Sequence, residues 1–212
     1  VRQQRDLLGA HIQDATNAPP QILKTASLTQ PLQQCRDSLM AVGLNAIANG
    51  KLLDLLRRLD SFGTHLVTLD VRQESTRHSD VIGEITSALG LGDYRAWSEE
   101  DKQTFLNKEI DNPRPLLPLA FEASAPCQEV IDTFRTIAET PREALGCYVI
   151  SMAAEPSDVL AVQLLLKATG GPVDLPVSPL FETLDDLDGA PATLDALLKN
   201  EAFKARAANA MV

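Results

Sequence analysis

Charged and hydroxyl side chains follow an apolar, strand-like run at residues 66–71, immediately before a helical pattern. Arginine presents a planar fork of donors that suits a phosphate or a carboxylate, so Arg72 is a candidate anion-binding residue. The alternative is a structural ion pair with Glu74 or Asp70, and residue type alone favours it because ion-pair networks are common. The cluster contains Asp70, Arg72, Gln73, Glu74, Arg77 and His78.

His78 closes this cluster and is its one histidine. An imidazole with an ordinary pKa titrates near neutrality, so His78 could act as an acid, a base or a metal ligand. No second histidine and no cysteine lies nearby in the sequence. A hydrogen bond within the first turn of a helix is therefore the stronger interpretation of this residue.

A group of carboxylates follows a further predicted strand at about residues 173–177. Carboxylates at a strand end suit Mg2+ or Mn2+, which prefer oxygen ligands and leave positions open for a phosphate-bearing substrate. Asp185 and Asp186 have a competing explanation, because acidic residues in the first turn complement a helix dipole. Glu182 precedes that turn and is the better candidate for a metal ligand.

The strand predicted between these two, at residues 146–152, carries fewer reactive groups. Ser151 offers a polar contact and Ser157 a helix cap, but no nucleophile is paired with a base. The sequence contains no GxGxxG, GxxxxGK[ST], GxSxG or HExxH pattern. An arginine opposite a metal-binding carboxylate points instead to a small phosphorylated acid as the ligand.

These side chains depend on an alternation of strands and helices. Alternation of this kind predicts parallel strands with right-handed crossovers, hence an α/β sheet or barrel. A loop is predicted at residues 17–31. The predicted helices lie at residues 1–14, 32–47, 52–60, 81–89, 98–110, 126–139 and 159–168, and helical sequence resumes within the segment SPLFETLDDL and continues to the end.

Three strands are too few for a closed β/α barrel, which needs eight. The fold expected is therefore helix-rich α/β, with a partial β/α (TIM-type) barrel over residues 62–212 and a preceding helical layer over residues 1–61. The chain begins at Val1 rather than methionine and ends without a helix cap, so we expect it to be part of a longer protein.

Composition excludes several classes of protein. The chain has 212 residues with 44% hydrophobic and 23% charged, which suits a globular core. A net charge of -10 without a basic stripe argues against nucleic-acid binding. No apolar run approaches the roughly 20 residues that span a bilayer. Residues 1–14 also lack the apolar region of a signal peptide, so we expect a cytoplasmic protein. Three dispersed cysteines without a CxxC pair indicate reduced thiols.

Several long strings go beyond composition and spacing. LDVRQESTRH, YVISMAAEPSDVLAVQLLLK and LPVSPLFETLDDL closely resemble segments of bacterial-type phosphoenolpyruvate carboxylase, and FGTHLV, ANGKLLDLLRRLD, GDYRAWSEEDKQTFL and RPLLP also fit. The resemblance covers about residues 40–190 and extends more loosely to both ends. Matches this long and numerous are specific to the family.

The resemblance implies a lyase that joins phosphoenolpyruvate and bicarbonate to give oxaloacetate and phosphate, a carbon dioxide fixation that feeds the tricarboxylic acid cycle. It further implies Mg2+ or Mn2+, a helix-rich barrel, allosteric control and a homotetramer. Arg72 matches the family's phosphate-binding arginine, and Glu182 matches one of two metal-binding carboxylates. The supporting candidates that could orient Arg72 are Gln73, Glu74, Arg77, His78 and Ser151.

Other family motifs are not found in this sequence. They are a TAHPTE-like segment with the catalytic histidine, the GYSDS segment with the second metal carboxylate, the FHGRGG loop and a C-terminal inhibitor site. His78 does not match the catalytic histidine. We therefore expect these 212 residues alone to be inactive. The alternatives are another metal-dependent enolate enzyme on a pyruvate-kinase-like barrel and a non-catalytic binding or scaffold module.

Overall fold

The computed structural model of the chain describes residues 24–118, 121–200 and 203–204. Its contacts divide the chain into two compact units, one ending at Thr68 and the other beginning at Leu69. The domain boundary predicted between residues 61 and 62 stays a prediction. The helix predicted at residues 1–14 lies outside the described residues.

The described part of the first unit is helical. The predicted helix 32–47 is divided at Gly43, whose φ of 79° places it in the left-handed region that commonly ends a helix. The two longer helices pack together. The three helices are α1 (Thr25–Ala41), α2 (Asn45–Ala48) and α3 (Lys51–Phe62).

Helix α1 begins inside the segment 17–31, so the prediction of a loop was wrong from Thr25 onward. Pro31 lies within the helix, although a proline removes one hydrogen bond from a helix interior. Leu28 and Leu32 lie on either side of it and are both half-buried. The contacts between α1 and α3 therefore outweigh the local break signal.

The second unit contains a three-stranded parallel sheet with the strand order β1-β2-β3. This confirms the prediction of a helix-rich α/β fold with parallel strands. None of the helices in the described part of the chain is long and apolar enough to cross a membrane. The elements are β1 (Leu69–Glu74), α4 (Ser75–Ala88), α5 (Glu99–Asp111), α6 (Ala125–Glu139), β2 (Leu145–Ser151), α7 (Pro156–Thr169), β3 (Val177–Pro179) and α8 (Leu184–Lys199), with short 3-10 turns at Tyr94–Ala96 and Arg142–Ala144.

Two strands begin later in the chain than the sequence predicts. The first was expected at residues 66–71, but Leu66 has a φ of 68°, which is incompatible with an extended strand. Arg72 and the two residues after it therefore lie inside β1 instead of following it. The third was expected at residues 173–177, where a turn closed by the bond from Leu175 N–H to the Pro172 carbonyl delays β3.

One face of the sheet is covered by helices and forms the core. Tyr148 and Ile150 of the central strand are fully buried, and the ring of Phe134 from α6 stacks on Tyr148 at 5.2 Å between centroids. Helix α7 is buried along most of its length, as expected for a helix that is apolar on nearly all sides. Helices α4, α6 and α7 pack on one another in this layer.

The opposite face of the sheet is more open and more polar. Arg72, Val149 and Ser178 lie abreast in the register of the three strands. Arg72 and Ser178 are exposed, and Val149 is half-buried. The same face of β2 carries Cys147 and Ser151, both half-buried.

Helix α5 is fixed to α7 through its first turn. The sequence Ser98-Glu99-Glu100-Asp101 matches a capping-box pattern and predicts a cap at Ser98. This prediction is confirmed, because the Ser98 hydroxyl oxygen accepts a hydrogen bond from Asp101 N–H. Glu99 then accepts bonds from the N–H and the hydroxyl of Ser157, at 3.0 and 2.6 Å. The prediction that Ser157 caps α7 was wrong, since Glu155 and Asp158 form that capping box.

The two faces of β2 predict different responses to truncation. Ile150→Ala should lower the free energy of unfolding of the 212-residue chain by about 2–5 kcal/mol, because it leaves a cavity under the helices. Val149→Ala on the opposite face is the matched control and should lower it less. Urea unfolding followed by circular dichroism measures both, and equal losses would contradict the assignment of the faces.

Candidate functional site

The carboxyl ends of the three strands meet at one edge of the sheet, as parallel pairing requires. Glu74 at the end of β1 pairs in register with Ser151 at the end of β2. Beyond the end of β3, Leu180 N–H donates to the Ile150 carbonyl at 2.8 Å. The segments that follow β2 and β3 are therefore held beside the last residues of β1.

Arg72 and Glu182 come together at this edge although 110 residues separate them. Nη2 of Arg72 lies 2.8 Å from Oε1 of Glu182. The other carboxylate oxygen, Oε2, accepts a hydrogen bond from Met152 N–H at 3.2 Å. The structure thus brings together the two residues that the sequence singled out for phosphate and metal binding.

Arg72 forms an ion pair, as one interpretation of the sequence predicted, but its partner is not one of the residues predicted. The sequence suggested Glu74 or Asp70, whereas the carboxylate found beside Arg72 is Glu182. The side chains of the pair are 60% and 34% exposed, and a pair so open to solvent contributes only about 0–1 kcal/mol. Either partner can therefore exchange the other for an ion at small cost.

Asp70 has a structural contact of its own. The pairing of β1 with β2 shifts between Leu69 and Val71, and Cys147 N–H donates to Asp70 Oδ1 at 2.9 Å. A bulge leaves a strand amide without its ladder partner. The Asp70 carboxylate supplies an acceptor at that irregularity.

Met152 follows β2 and has a φ of 55° although it is not glycine. A side chain in this region costs on the order of 1–3 kcal/mol unless the surroundings hold it there. The Met152 carbonyl accepts a hydrogen bond from the Ser75 hydroxyl at 2.7 Å. The left-handed residue is thus bonded through both its N–H and its carbonyl.

Three of the supporting candidates lie close to the strand ends. The Gln73 side-chain oxygen accepts a bond from Glu74 N–H at 3.2 Å. The Ser151 hydroxyl donates to the Gln73 carbonyl at 3.4 Å, which joins the ends of β1 and β2. Roles for Gln73, Glu74 and Ser151 in orienting Arg72 stay predictions.

Arg77 and His78 point to other partners. Nη2 of Arg77 donates to the Pro126 carbonyl and to Glu129, each at 3.1 Å, so this side chain joins α4 to the start of α6. His78 is fully buried, with Nε2 at 2.8 Å from the Tyr148 hydroxyl. Burial, helped by the charge of Arg77, lowers the pKa of His78 to about 3.

Asp186 belongs to the helix that follows the site. Thr183 accepts a bond from Asp186 N–H and donates its own N–H to the Asp186 carboxylate, at 3.1 and 3.0 Å. Hydrogen bonds donated to the Asp186 carboxylate, first by the Thr183 side chain and then by the Thr183 N–H, lower the pKa of Asp186. The contacts fit the capping interpretation and leave Glu182 as the candidate ligand.

The chemistry of Glu182 is compatible with a hard divalent cation. Its carboxylate is partly open to solvent at the edge where a ligand would enter. Among the described residues, no group of three or more potential ligands is assembled. Mg2+ commonly uses one or two carboxylates together with water and substrate oxygens, so a single carboxylate here fits one position of such a site.

Two residues in this arrangement, Met152 and Ser75, could not be found from local sequence patterns. No glycine marks the left-handed conformation of Met152. Ser75 begins α4, where a serine suggests a helix cap, but the N-cap position is Glu74. The buried hydroxyl of Ser75 instead bonds to a residue that is 77 positions away.

The lowered pKa of His78 predicts a pH dependence of stability. The imidazole has a pKa of about 6.5 in the unfolded chain, so below that pH the unfolded chain binds a proton that the folded chain does not bind. The contribution of the neutral His78 to stability is therefore fully present above pH 6.5 and is lost as the pH falls toward 3. Between pH 6.5 and 5.5 the loss should be about 1 kcal/mol.

Urea unfolding at the two pH values measures this loss, with His78→Leu as the non-titrating control. The variant should be less stable overall because the Tyr148 hydroxyl loses its partner. Between pH 6.5 and 5.5 the variant should nonetheless lose about 1 kcal/mol less of its free energy of unfolding than the unsubstituted chain does. An identical dependence in both proteins would assign the effect to other groups.

Known proteins match this chain over nearly its whole length. A family model described as phosphoenolpyruvate carboxylase matches residues 2–211. The phosphoenolpyruvate carboxylase of Yersinia pseudotuberculosis (strain IP 31758) is 55% identical over 193 residues, which are 90% of this chain and 22% of that protein. Those of Yersinia enterocolitica and Serratia proteamaculans are 53% and 55% identical over 93% and 86% of this chain, and 23% and 21% of their own lengths.

The chain spans about a fifth of the length of the curated relatives it matches. The matched region includes β1, the segment after β3 and the contact between Arg72 and Glu182. The chain belongs to the phosphoenolpyruvate carboxylase family.

Proposed function

We propose that these 212 residues are part of a phosphoenolpyruvate carboxylase and form one wall of its active site. The reaction joins phosphoenolpyruvate and bicarbonate to give oxaloacetate and phosphate. The observation that carries the proposal is the 2.8 Å contact between Arg72 and Glu182 at the carboxyl edge of a parallel sheet. The resemblance of the segments around these two residues to the family's motifs supports the proposed substrate and metal roles.

In this proposal Arg72 binds the phosphate of the substrate. Its side chain is 60% exposed, and its guanidinium offers a fork of donors that matches phosphate geometry. Releasing it from Glu182 costs little, because an exposed ion pair contributes only about 0–1 kcal/mol. A dianionic phosphate competes well with one carboxylate for such a cation.

Glu182 would hold Mg2+ or Mn2+ through its carboxylate oxygens. The bound cation would act as a Lewis acid toward negative charge that develops on the substrate. Met152 N–H donates to one oxygen of Glu182 and thereby orients the carboxylate. The remaining ligands would come from solvent, from the substrate and from parts of the protein outside the described residues.

We further propose that the sheet is a section of a β/α barrel. Helices cover one face, whereas the other carries exposed or half-buried groups such as Arg72, Val149 and Ser178. A barrel interior would place such groups inside, near the carboxyl ends of the strands. Exposed leucines on α8 support packing against further elements: Leu184, Leu187, Leu194 and Leu198 are 44–81% exposed.

The cytoplasmic location, the homotetramer and allosteric control are proposals that rest on family membership. The partners proposed are phosphoenolpyruvate, bicarbonate and the remainder of the parent protein, without nucleic acid or membrane. The excess of acidic over basic residues, 29 against 19, accords with the proposed lack of nucleic-acid binding.

Two substitutions in the full-length protein should separate the two roles. Glu182→Ala should raise the Mn2+ concentration needed for half-maximal activity at least about tenfold. Removing a residue that only hydrogen-bonds to a metal ligand already weakens metal binding by about 10–100-fold, and removing the ligand itself should weaken it at least as much. Arg72→Lys should weaken phosphoenolpyruvate binding by about 1.5–3 kcal/mol, since a point charge does not replace the fork. Steady-state kinetics with each ligand varied in turn measures both effects.

Asp185→Ala is the matched control for Glu182→Ala, because Asp185 lies in the first turn of α8 and has no proposed role at the metal. It should leave the Mn2+ dependence unchanged. Unaltered Mn2+ dependence in Glu182→Ala would refute the metal assignment. Unaltered phosphoenolpyruvate affinity in Arg72→Lys would refute the phosphate assignment and favour a non-catalytic module.

The 212 residues alone should not turn over substrate, because most of the catalytic motifs of the family are not found in this sequence. Oxaloacetate formation coupled to malate dehydrogenase tests this, with the Glu182→Ala chain as the blank. A rate above that blank would contradict the proposal that further parts of the protein complete the site.

A further inference from the structure

The Glu182 carboxylate is oriented from two sides by groups of different character. Arg72, on Oε1, is a long and exposed side chain. Met152 N–H, on Oε2, belongs to the backbone at the end of the central strand. If Arg72 turns to a substrate phosphate, the Met152 N–H is the contact that still holds the carboxylate in place.

This N–H points at Glu182 because Met152 is left-handed, with a φ of 55°. A side chain other than glycine does not favour this region, so the conformation needs support from its neighbours. The support visible here is the Ser75 hydroxyl, which donates to the Met152 carbonyl at 2.7 Å. Ser75 is only 6% exposed, so its hydroxyl has little access to water as an alternative partner.

Ser75 is in turn fixed by its place in the chain. It is the first residue of α4 and directly follows the last residue of β1. Its side chain does not cap α4, whose N-cap is Glu74. The hydroxyl therefore joins the start of α4 to the segment that follows β2, rather than making a contact within its own helix.

We propose that Ser75 is a positioning residue that keeps the Met152 N–H directed at Glu182 and thereby sets the affinity for the divalent cation. The inference rests on the proposed function, in which Glu182 is a metal ligand. Groups that orient a ligating carboxylate typically change metal affinity by about 10–100-fold when they are removed. Ser75 acts through Met152 and does not itself contact the cation.

The test uses the full-length protein and Mn2+ as the probe, with free Mn2+ measured by electron paramagnetic resonance. Ser75→Ala should weaken Mn2+ binding about tenfold, and Ser75→Thr, which keeps the hydroxyl, should bind more tightly than Ser75→Ala. The KM for phosphoenolpyruvate at saturating Mn2+ should not change, because Arg72 is not affected. Should Ser75→Ala fail to fold, Ser75→Cys takes its place as the weak-donor variant.

A second substitution separates positioning from general destabilisation. Met152→Gly in the Ser75→Ala background should recover part of the lost Mn2+ affinity, because glycine adopts the left-handed conformation without support. A mere loss of packing would not be repaired by removing another side chain. Failure of glycine to restore any affinity would overturn the proposed route through Met152.

Thr193→Val is the matched control. The Thr193 hydroxyl donates to the Ala154 carbonyl at 2.8 Å, two residues beyond Met152 in the same loop, and Thr193 is also buried. Thr193→Val should leave Mn2+ affinity unchanged, and a tenfold loss of Mn2+ affinity in this variant would overturn the inference.

The same measurement distinguishes the positioning role from the proposed function. Unchanged Mn2+ affinity in Ser75→Ala together with weakened Mn2+ binding in Glu182→Ala would refute the positioning role alone. Unchanged Mn2+ affinity in Glu182→Ala would refute the proposed function.

Discussion

The parallel pairing of β2 with both of its neighbours is the constraint on which the rest of this structure depends. It aligns Arg72 with Val149 and Ser178, and it brings the carboxyl ends of all three strands to one edge. The pairing is held by the burial of Tyr148 and Ile150 beneath helices. Chemistry-bearing residues far apart in sequence therefore meet because a hydrophobic layer on the other face fixes the strands.

The site at this edge combines a fixed part with an exchangeable part. The exposed pair of Arg72 and Glu182 adds little stability, which leaves both side chains available to ions of opposite charge. The Met152 backbone, in contrast, is joined to Glu182 on one side and to Ser75 on the other. Such an arrangement lets the arginine move while the carboxylate keeps its orientation.

Polar groups inside the second unit serve mostly to join elements. His78 contacts the Tyr148 hydroxyl beneath the sheet, and burial lowers its pKa so that the imidazole stays neutral in this layer. Glu99 accepts two bonds from Ser157 and so joins α5 to α7. In both cases a residue type often found in catalysis satisfies a buried or half-buried partner instead.

The sequence alone determined most of the secondary-structure elements, which depend on interactions between residues close together in the chain. The cap at Ser98 and the helix that ends before Thr140 were predictable because capping and periodicity act within short segments. The parallel arrangement of the strands was predictable from the alternation of strands and helices along the chain. Arg72 and Glu182 could be selected from their types and places near strand ends, and the family resemblance gave them roles.

Only the tertiary structure decided which residues meet. Leu66 has a left-handed backbone conformation, so β1 begins only after it. Pro31 lies within a helix. Arg72 pairs with a carboxylate 110 residues away and not with Glu74 or Asp70. The link from Ser75 through Met152 to Glu182 likewise has no local signature. These features depend on strand register and on packing between distant segments, whose energies no short window of sequence contains.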